Sequence, residues 1–250
     1  MHQYQSTTHQ LGRNMKGNQA CLQCHGEYEI KLEQHTRHRP GSSGSLCYNC
    51  LMPHTTYGLL KAIRSHTINL PSVKSSLDTG RPNACNLCHL DKSLGWTAAK
   101  LNEWHKQPVP KMSDEQKDSS AAMLWLFKGD AGQRSLVAGH MSWEPAKTTS
   151  GHVWMQRFLA ESLVDSSSTV RYIAQRSLKT LPGYEDLPYD YIGQEEHRSL
   201  TRQKVIKMWR AKSVVTEGNS VLSQPDVVLQ DNKIDAILKQ RDNRRIQLLA

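Results

Sequence analysis

The sequence predicts a mainly α-helical chain in two textures: a loop-rich first part that holds every cysteine, then a region of helical hairpins. Three observations predict it. Gly17, Gly26, Gly41, Gly44, Gly58 and Gly80, with Pro40, Pro53, Pro71 and Pro82, interrupt the first part about every ten residues, which leaves room there only for short helices. From Met112-Ser113 onward, apolar residues recur at helical spacing. The clearest run places Val170, Ile173, Ala174, Ser177, Leu178 and Leu181 at i, i+3, i+4, i+7, i+8 and i+11, one buried stripe stopped by Pro182-Gly183. The chain is accordingly divided into residues 1–112, 113–192 and 193–250.

In the first division short helices are expected near 27–36, 57–65 and 93–105. Ser113 with Gln116 has the signature of a capping box and leads into Ala121, Met123, Leu124 and Leu126, a run that ends at Gly129. A second helix is expected from Asp130 to Ser142, ahead of Pro145. A third spans about Gly151 to Val164, with Trp154, Phe158, Leu159 and Leu163 on one side. With the Val170 helix these make two stacked hairpins, at roughly 114–142 and 151–181. A basic helix around 195–212, with Leu200, Val205, Ile206 and Trp209, and a charged one around 232–248 follow, joined by a polar stretch from Ser213 to Asp231 that reads as linker.

Length permits one or two domains with a buried core. Counting Gly in place of Tyr puts the apolar fraction at about 40%, below the ~45–50% of ordinary domains, and there are only 2 Phe. Residues 1–112 carry 13 Lys+Arg against 6 Asp+Glu, net +7, and the remainder 19 against 17, net +2. The basic excess therefore lies with the cysteines, where an anionic partner or an anion bound within would balance it. No apolar run approaches the ~18–20 residues of a membrane span. The first 20 residues contain no apolar stretch of the kind a secretory signal needs.

All 6 cysteines fall between residues 21 and 88 in pairs with two residues between: Cys21/Cys24, Cys47/Cys50 and Cys85/Cys88. The 162 residues after Cys88 contain none, which excludes a disulfide framework across the chain. Two pairs run directly into histidine, Cys21-Leu22-Gln23-Cys24-His25 and Cys85-Asn86-Leu87-Cys88-His89. That is the attachment pattern of c-type haem. Two thiols add across the two vinyl groups of one porphyrin, and the next imidazole is then placed to ligate the iron. The third pair, Cys47-Tyr48-Asn49-Cys50, is followed by Leu51, which cannot ligate iron; the nearest histidine is His54. Zinc is the competing chemistry: Cys21/Cys24 and Cys47/Cys50, 22 residues apart, have acceptable spacing for a four-cysteine knuckle, and a basic surface would then point to nucleic acid. Zinc leaves Cys85/Cys88 in need of histidine partners. Three haems would bring about −6 in propionates against the +7 of this segment, and would supply apolar surface that the segment lacks.

The stretches GNQACLQCH (17–25), HTRH (35–38), GSLCYNCLMPHTTYGLLKAIRSHTI (44–68), GRPNACNLCHLDKSLGWTA (80–98) and VRYIAQRSLKTLPGYEDLPYDY (170–191) resemble a family of bacterial multihaem cytochromes c. In that family a module with doubled haem motifs precedes a HEAT-like helical region, and the Asp-then-Val-Arg opening of the Val170 helix resembles the second helix of a HEAT repeat. The resemblance implies a loop-rich multihaem cytochrome c module at 1–112, HEAT-like α-hairpins at 113–192, and C-terminal helices with a linker at 193–250. The family normally has Cys-x-x-Cys-His-Met-Pro at the middle pair; here Met52-Pro53 are kept and Leu51 stands in place of histidine. The middle haem then takes another ligand, has an open position, or is absent. Family members also carry a signal peptide and an earlier haem motif, which HQYQSTTH (2–9) does not supply, so the chain is expected to be truncated or processed.

The expectation is a periplasmic or otherwise exported cytochrome that passes single electrons between closely spaced haems and redox partner proteins, with the helical region for docking and without nucleic acid or a membrane span. Haem c is anchored by Cys21, Cys24, Cys85 and Cys88, giving two haems, with a third at Cys47 and Cys50 in question. His25 and His89 are the proximal ligands. His66, His35 and His38 rank first as second axial ligands, and His9 and His54 follow. His140, His152 and His197 read as structural, and Trp96, Trp104 and Trp125 as packing residues. An alternative function is a redox enzyme acting on a nitrogen or sulfur oxyanion at the haem without its proximal histidine.

Overall fold

The computed structural model describes residues 15–58, 61–213 and 231–244. The protein is mainly helical, with one two-stranded sheet among the described residues. It divides into two compact units, one comprising residues up to Pro53 with Arg64–Pro71, the other His54–Ile63 with the chain from Ser72 onward.

The first unit is a string of single turns: α1 (Gln19–Leu22), α2 (Leu32–Thr36) and α3 (Cys47–Leu51), with 3₁₀ turns at Gly26–Tyr28 and Ser43–Ser45. Polar side chains tie these turns together. Asn18 donates to the Ser45 carbonyl at 2.8 Å and accepts from the Cys47 amide at 2.9 Å, joining the first cysteine turn to the second. Arg64 closes the C-terminal end of α3, donating to the carbonyls of Tyr48 at 3.1 Å and Met52 at 3.0 Å and lying 4.5 Å above the Tyr48 ring. Among its described residues the buried side chains are Ser45 and Ser65, while Ile30, Ile68 and Leu70 stand 86%, 71% and 74% exposed. An apolar protein core is absent from this set.

The second unit has the core. Strands β1 (His54–Gly58) and β2 (Lys61–Arg64, its last residue in the first unit) precede helices α4 (Val73–Thr79) and α5 (Leu94–His105). A strand pair stands where the sequence suggested a helix over 57–65: Thr55, Thr56, Tyr57 and Ile63 are β-branched or aromatic residues that favour a pleated surface. Ser93 caps α5, accepting from the Trp96 amide. The Ser113/Gln116 capping box forms, but it opens only α6 (Asp114–Asp118); Ser120 then caps α7 (Ala121–Lys128) separately. A second box, Asp130 with Gln133, starts α8 (Ala131–His140). α9 (Glu144–Ser150), α10 (Val153–Ser162) and α11 (Ser168–Leu178) follow, then α12 (Glu195–Ser213) and α13 (Asp231–Leu238).

Helices α7 and α8 pack as one hairpin, α10 and α11 as the next, and α8 lies on α11. The expected stripe is buried throughout: Val170, Ile173, Ala174, Ser177, Leu178 and Leu181 are each at most 1% exposed. Ser177 also donates to the Ala138 carbonyl at 2.7 Å, so the seam between hairpins is pinned as well as packed. α12 covers α10 with Val205, Ile206 and Trp209, whereas Leu200 is 56% exposed. Two buried carboxylates are each met by two arginines. Asp165, 1% exposed, meets Arg134 and Arg241, each at 3.0 Å; Glu161, also 1% exposed, meets Arg157 and Arg202. The expected linker over 213–231 lies almost wholly outside the described residues, as does the end of the 232–248 helix.

Candidate functional site

The two complete Cys-x-x-Cys-His segments adopt the same turn. In the first, the amides of Cys24 and His25 both donate to the Cys21 carbonyl, at 3.1 and 3.0 Å; in the second, those of Cys88 and His89 donate to the Cys85 carbonyl, at 3.2 and 2.8 Å. One helical turn puts positions i, i+3 and i+4 on one side. Both thiols and the imidazole that follows are thus presented together, in two segments that lie in different units. The donor set fits c-type haem: two thiols for thioether bonds and one histidine for the iron. α3 makes the same turn around Cys47 and Cys50, with Leu51 at the position of the histidine.

The Cys85–His89 turn is held by what lies behind it. Asn86, fully buried, donates to the carbonyls of Lys92 at 3.0 Å and Ser93 at 3.3 Å, and accepts from the Thr97 hydroxyl at 2.8 Å. Leu87 is 2% exposed. The two residues between the cysteines are therefore the ones driven inward, which leaves Cys85, Cys88 and His89 partly exposed on the other side. Ser150, at the end of α9, accepts from the Leu90 amide at 2.8 Å and donates to the Cys88 carbonyl at 3.0 Å. One buried hydroxyl thus clamps the backbone on both sides of His89. Thr149 Oγ1 lies 3.7 Å from Cys88 Sγ, and the Trp96 ring centroid 5.1 Å from that of His89. Burial pushes the Cys88 thiol pKa up, with the Thr149 contact opposing it.

In the first unit burial, followed by the neighbouring Cys21 thiol, raises the Cys47 pKa. No cysteine is in a disulfide. Among the described residues no three His, Cys, Asp or Glu side chains converge as a metal-ion site.

The candidate axial histidines sit in different settings. His25 is 64% exposed at its side chain, and the rings of His25, Tyr28 and His35 follow one another at 6.3 and 4.4 Å. His38 has Nδ1 2.6 Å from the Thr36 carbonyl oxygen, which makes Nδ1 the protonated nitrogen and leaves the lone pair on Nε2. Gly44 lets that ring approach, since a Cβ there would fall 2.1 Å from His38 Cδ2. His66 is exposed, next to buried Ser65. His54 opens β1 and lies 3.0 Å from His140, a residue that sequence reasoning assigned to the helical scaffold. His9 lies outside the described residues. Thr149, Ser150 and His140 were not legible as site residues, because each is far in sequence from the motif it touches and belongs to a residue type common in ordinary helices.

Compared with known proteins, the chain matches no protein-family model, no curated protein and no solved structure. Among the described residues no helix is long and apolar enough to cross a membrane.

Proposed function

We propose that the protein is an exported multihaem c-type cytochrome that transfers single electrons between partner proteins. The observation that carries this reading is the repeated turn: Cys21, Cys24 and His25, and Cys85, Cys88 and His89, are folded alike in two unrelated surroundings. A disulfide or zinc role places no demand on the residue after the second cysteine, whereas haem c requires a histidine there. The shortage of buried apolar side chains among the described residues of the first unit also supports it, since a unit of that size needs apolar surface from some source to hold a fold.

In this reading Cys21, Cys24, Cys85 and Cys88 anchor two haems and His25 and His89 hold their irons. When bound, haem supplies an iron couple that takes up and releases one electron. Asn86 and Ser150 keep His89 oriented, and Trp96 covers one side of its ring. The stacked hairpins act as a HEAT-like scaffold that offers a surface to a redox partner. A pyridine haemochrome spectrum together with intact mass tests the reading. Two or three whole-haem additions are expected, and an apo mass from a host that matures c-type cytochromes contradicts it.

Leu51 favours a second reading for the middle pair. It occupies the ligand position of that turn, so a haem held by Cys47 and Cys50 would lack this protein ligand and its iron could bind a small nitrogen or sulfur oxyanion. Binding of cyanide or nitrite to a high-spin haem is expected there, and purely low-spin spectra exclude it.

A further inference from the structure

Three rings of the second unit form a cluster that the attachment motifs do not use. His140, the last residue of α8, is 2% exposed, and its Nδ1 lies 2.7 Å from the Leu136 carbonyl oxygen. A carbonyl can only accept, so Nδ1 bears the hydrogen and the neutral ring has its lone pair on Nε2. That Nε2 is 3.0 Å from Nδ1 of His54. His54 must therefore donate from Nδ1, and its own lone pair is left on Nε2. One backbone carbonyl thereby sets the tautomers of two imidazoles in series. Trp143 meets both rings edge-on, at 5.9 Å and 87° from His54 and at 5.5 Å and 85° from His140, which fixes their planes.

The contact is built into the register of β1 on α8. A Cβ at Gly139 would fall 2.9 Å from Tyr57 Cε2, so the glycine beside His140 is what lets the strand lie against the end of the helix. Tyr57 against Gly139 and His54 against His140 then hold the strand at two points. Iron-ligating histidines characteristically donate their second ring N–H to a fixed acceptor, which sets the tautomer, aims the ring and raises its basicity. We infer that His140 is a positioning residue that holds His54, through its Nδ1–H, as a haem-iron ligand through Nε2. This rests on the cytochrome reading above. Of the candidate second ligands whose bonds are described, His54 is held by a tertiary contact, whereas His38 is held by a carbonyl two residues away.

The test uses the full chain matured with haem, comparing wild type with His140→Phe, His140→Gln and, as a control elsewhere on the helical region, His152→Phe. Intact mass reports haem number, and electron paramagnetic resonance with redox titration reports ligation. With haem number unchanged, His140→Phe is expected to alter one low-spin signal and raise one midpoint potential. A tenfold loss in the preference for ferric iron reads as a rise of about 59 mV for a one-electron couple. His140→Gln, whose amide oxygen can accept from His54, is expected to return both toward wild type; His152→Phe leaves them unchanged. Spectra and potentials of His140→Phe identical to wild type, with all haems attached, overturn the inference. His54→Gly gives an independent arm if His140→Phe does not fold: loss of one low-spin signal, restored by added imidazole, is expected, and an unchanged spectrum overturns it. A wild-type chain without haem instead refutes the cytochrome reading itself, a result the mass separates from the others.

Discussion

Leu51 and Ser150 show how single residues decide the candidate site. Leu51 is visible in the sequence as a break in a pattern, and the structure gives that break a place: a helical turn that still presents Cys47 and Cys50 and lacks the imidazole. Leu51→His is expected to complete the site, adding a low-spin haem signal and abolishing any cyanide binding there, as read by optical spectra. Ser150 carries no comparable signal, since a serine ending a helix is unremarkable until Cys88 and Leu90 are seen to bond to it. Ser150→Ala leaves the buried Leu90 amide without this acceptor, a loss of about 1–3 kcal/mol. A urea denaturation midpoint is the measurement, and an unchanged midpoint would remove the clamp from the account. His66 and His35, which rank ahead of His54 by sequence, are exposed, and His54 lies 3.0 Å from His140, a residue 86 positions away.

At the scale of elements, the sequence is most informative where burial is periodic. The Val170 stripe forms α11 as spaced, because a helix whose apolar residues share one face has a single way to bury them. The strands over 54–64 were missed because the segment is too short to show a period, and local β-propensity there is settled only by packing on α8. Leu200 is exposed because, five and nine residues before Val205 and Trp209, it falls on the opposite side of α12 from them at about 3.6 residues per turn. The charges around Asp165 were invisible, since its partners Arg134 and Arg241 have no fixed spacing from it. Their removal is costly because the remaining charges are stranded. Asp165→Asn is expected to destabilise the helical unit by about 3–5 kcal/mol, against at most about 0.5 kcal/mol for Asp78→Asn, which breaks the exposed i,i+4 pair with Lys74. Thermal or chemical denaturation followed at 222 nm compares the two, and equal effects would contradict the role assigned to Asp165.

The molecule as a whole joins two kinds of construction: turns tied by polar side chains, and a helical unit with a continuous apolar core. The boundary drawn at residue 112 from composition differs from the division by packing, because α4 and α5 sit within the helical unit although the cysteine-rich texture includes them. Alkaline pH acts on the helical unit. Burial pushes Tyr184 and Tyr189 up to about 12 from an ordinary 10, and each hydroxyl donates to a backbone carbonyl. Their neutral forms favour the folded state; this contribution is complete below pH 10 and is lost as pH rises from about 10 through 12. Circular dichroism should show stability falling across that window, and a flat profile between pH 10 and 12 would contradict it. Chain made without haem maturation should keep strong amide-exchange protection in α7, α8, α10 and α11 and little in residues 15–53, as followed by hydrogen exchange; equal protection in both units would show that the first needs no added core. The central claim is covalent haem on the repeated turns, and intact mass of the chain produced in a host that matures c-type cytochromes, followed by peptide mapping, tests it most directly. Whole-haem additions on the peptides containing Cys21/Cys24 and Cys85/Cys88 are the predicted result, whereas unmodified cysteines in both peptides would contradict it.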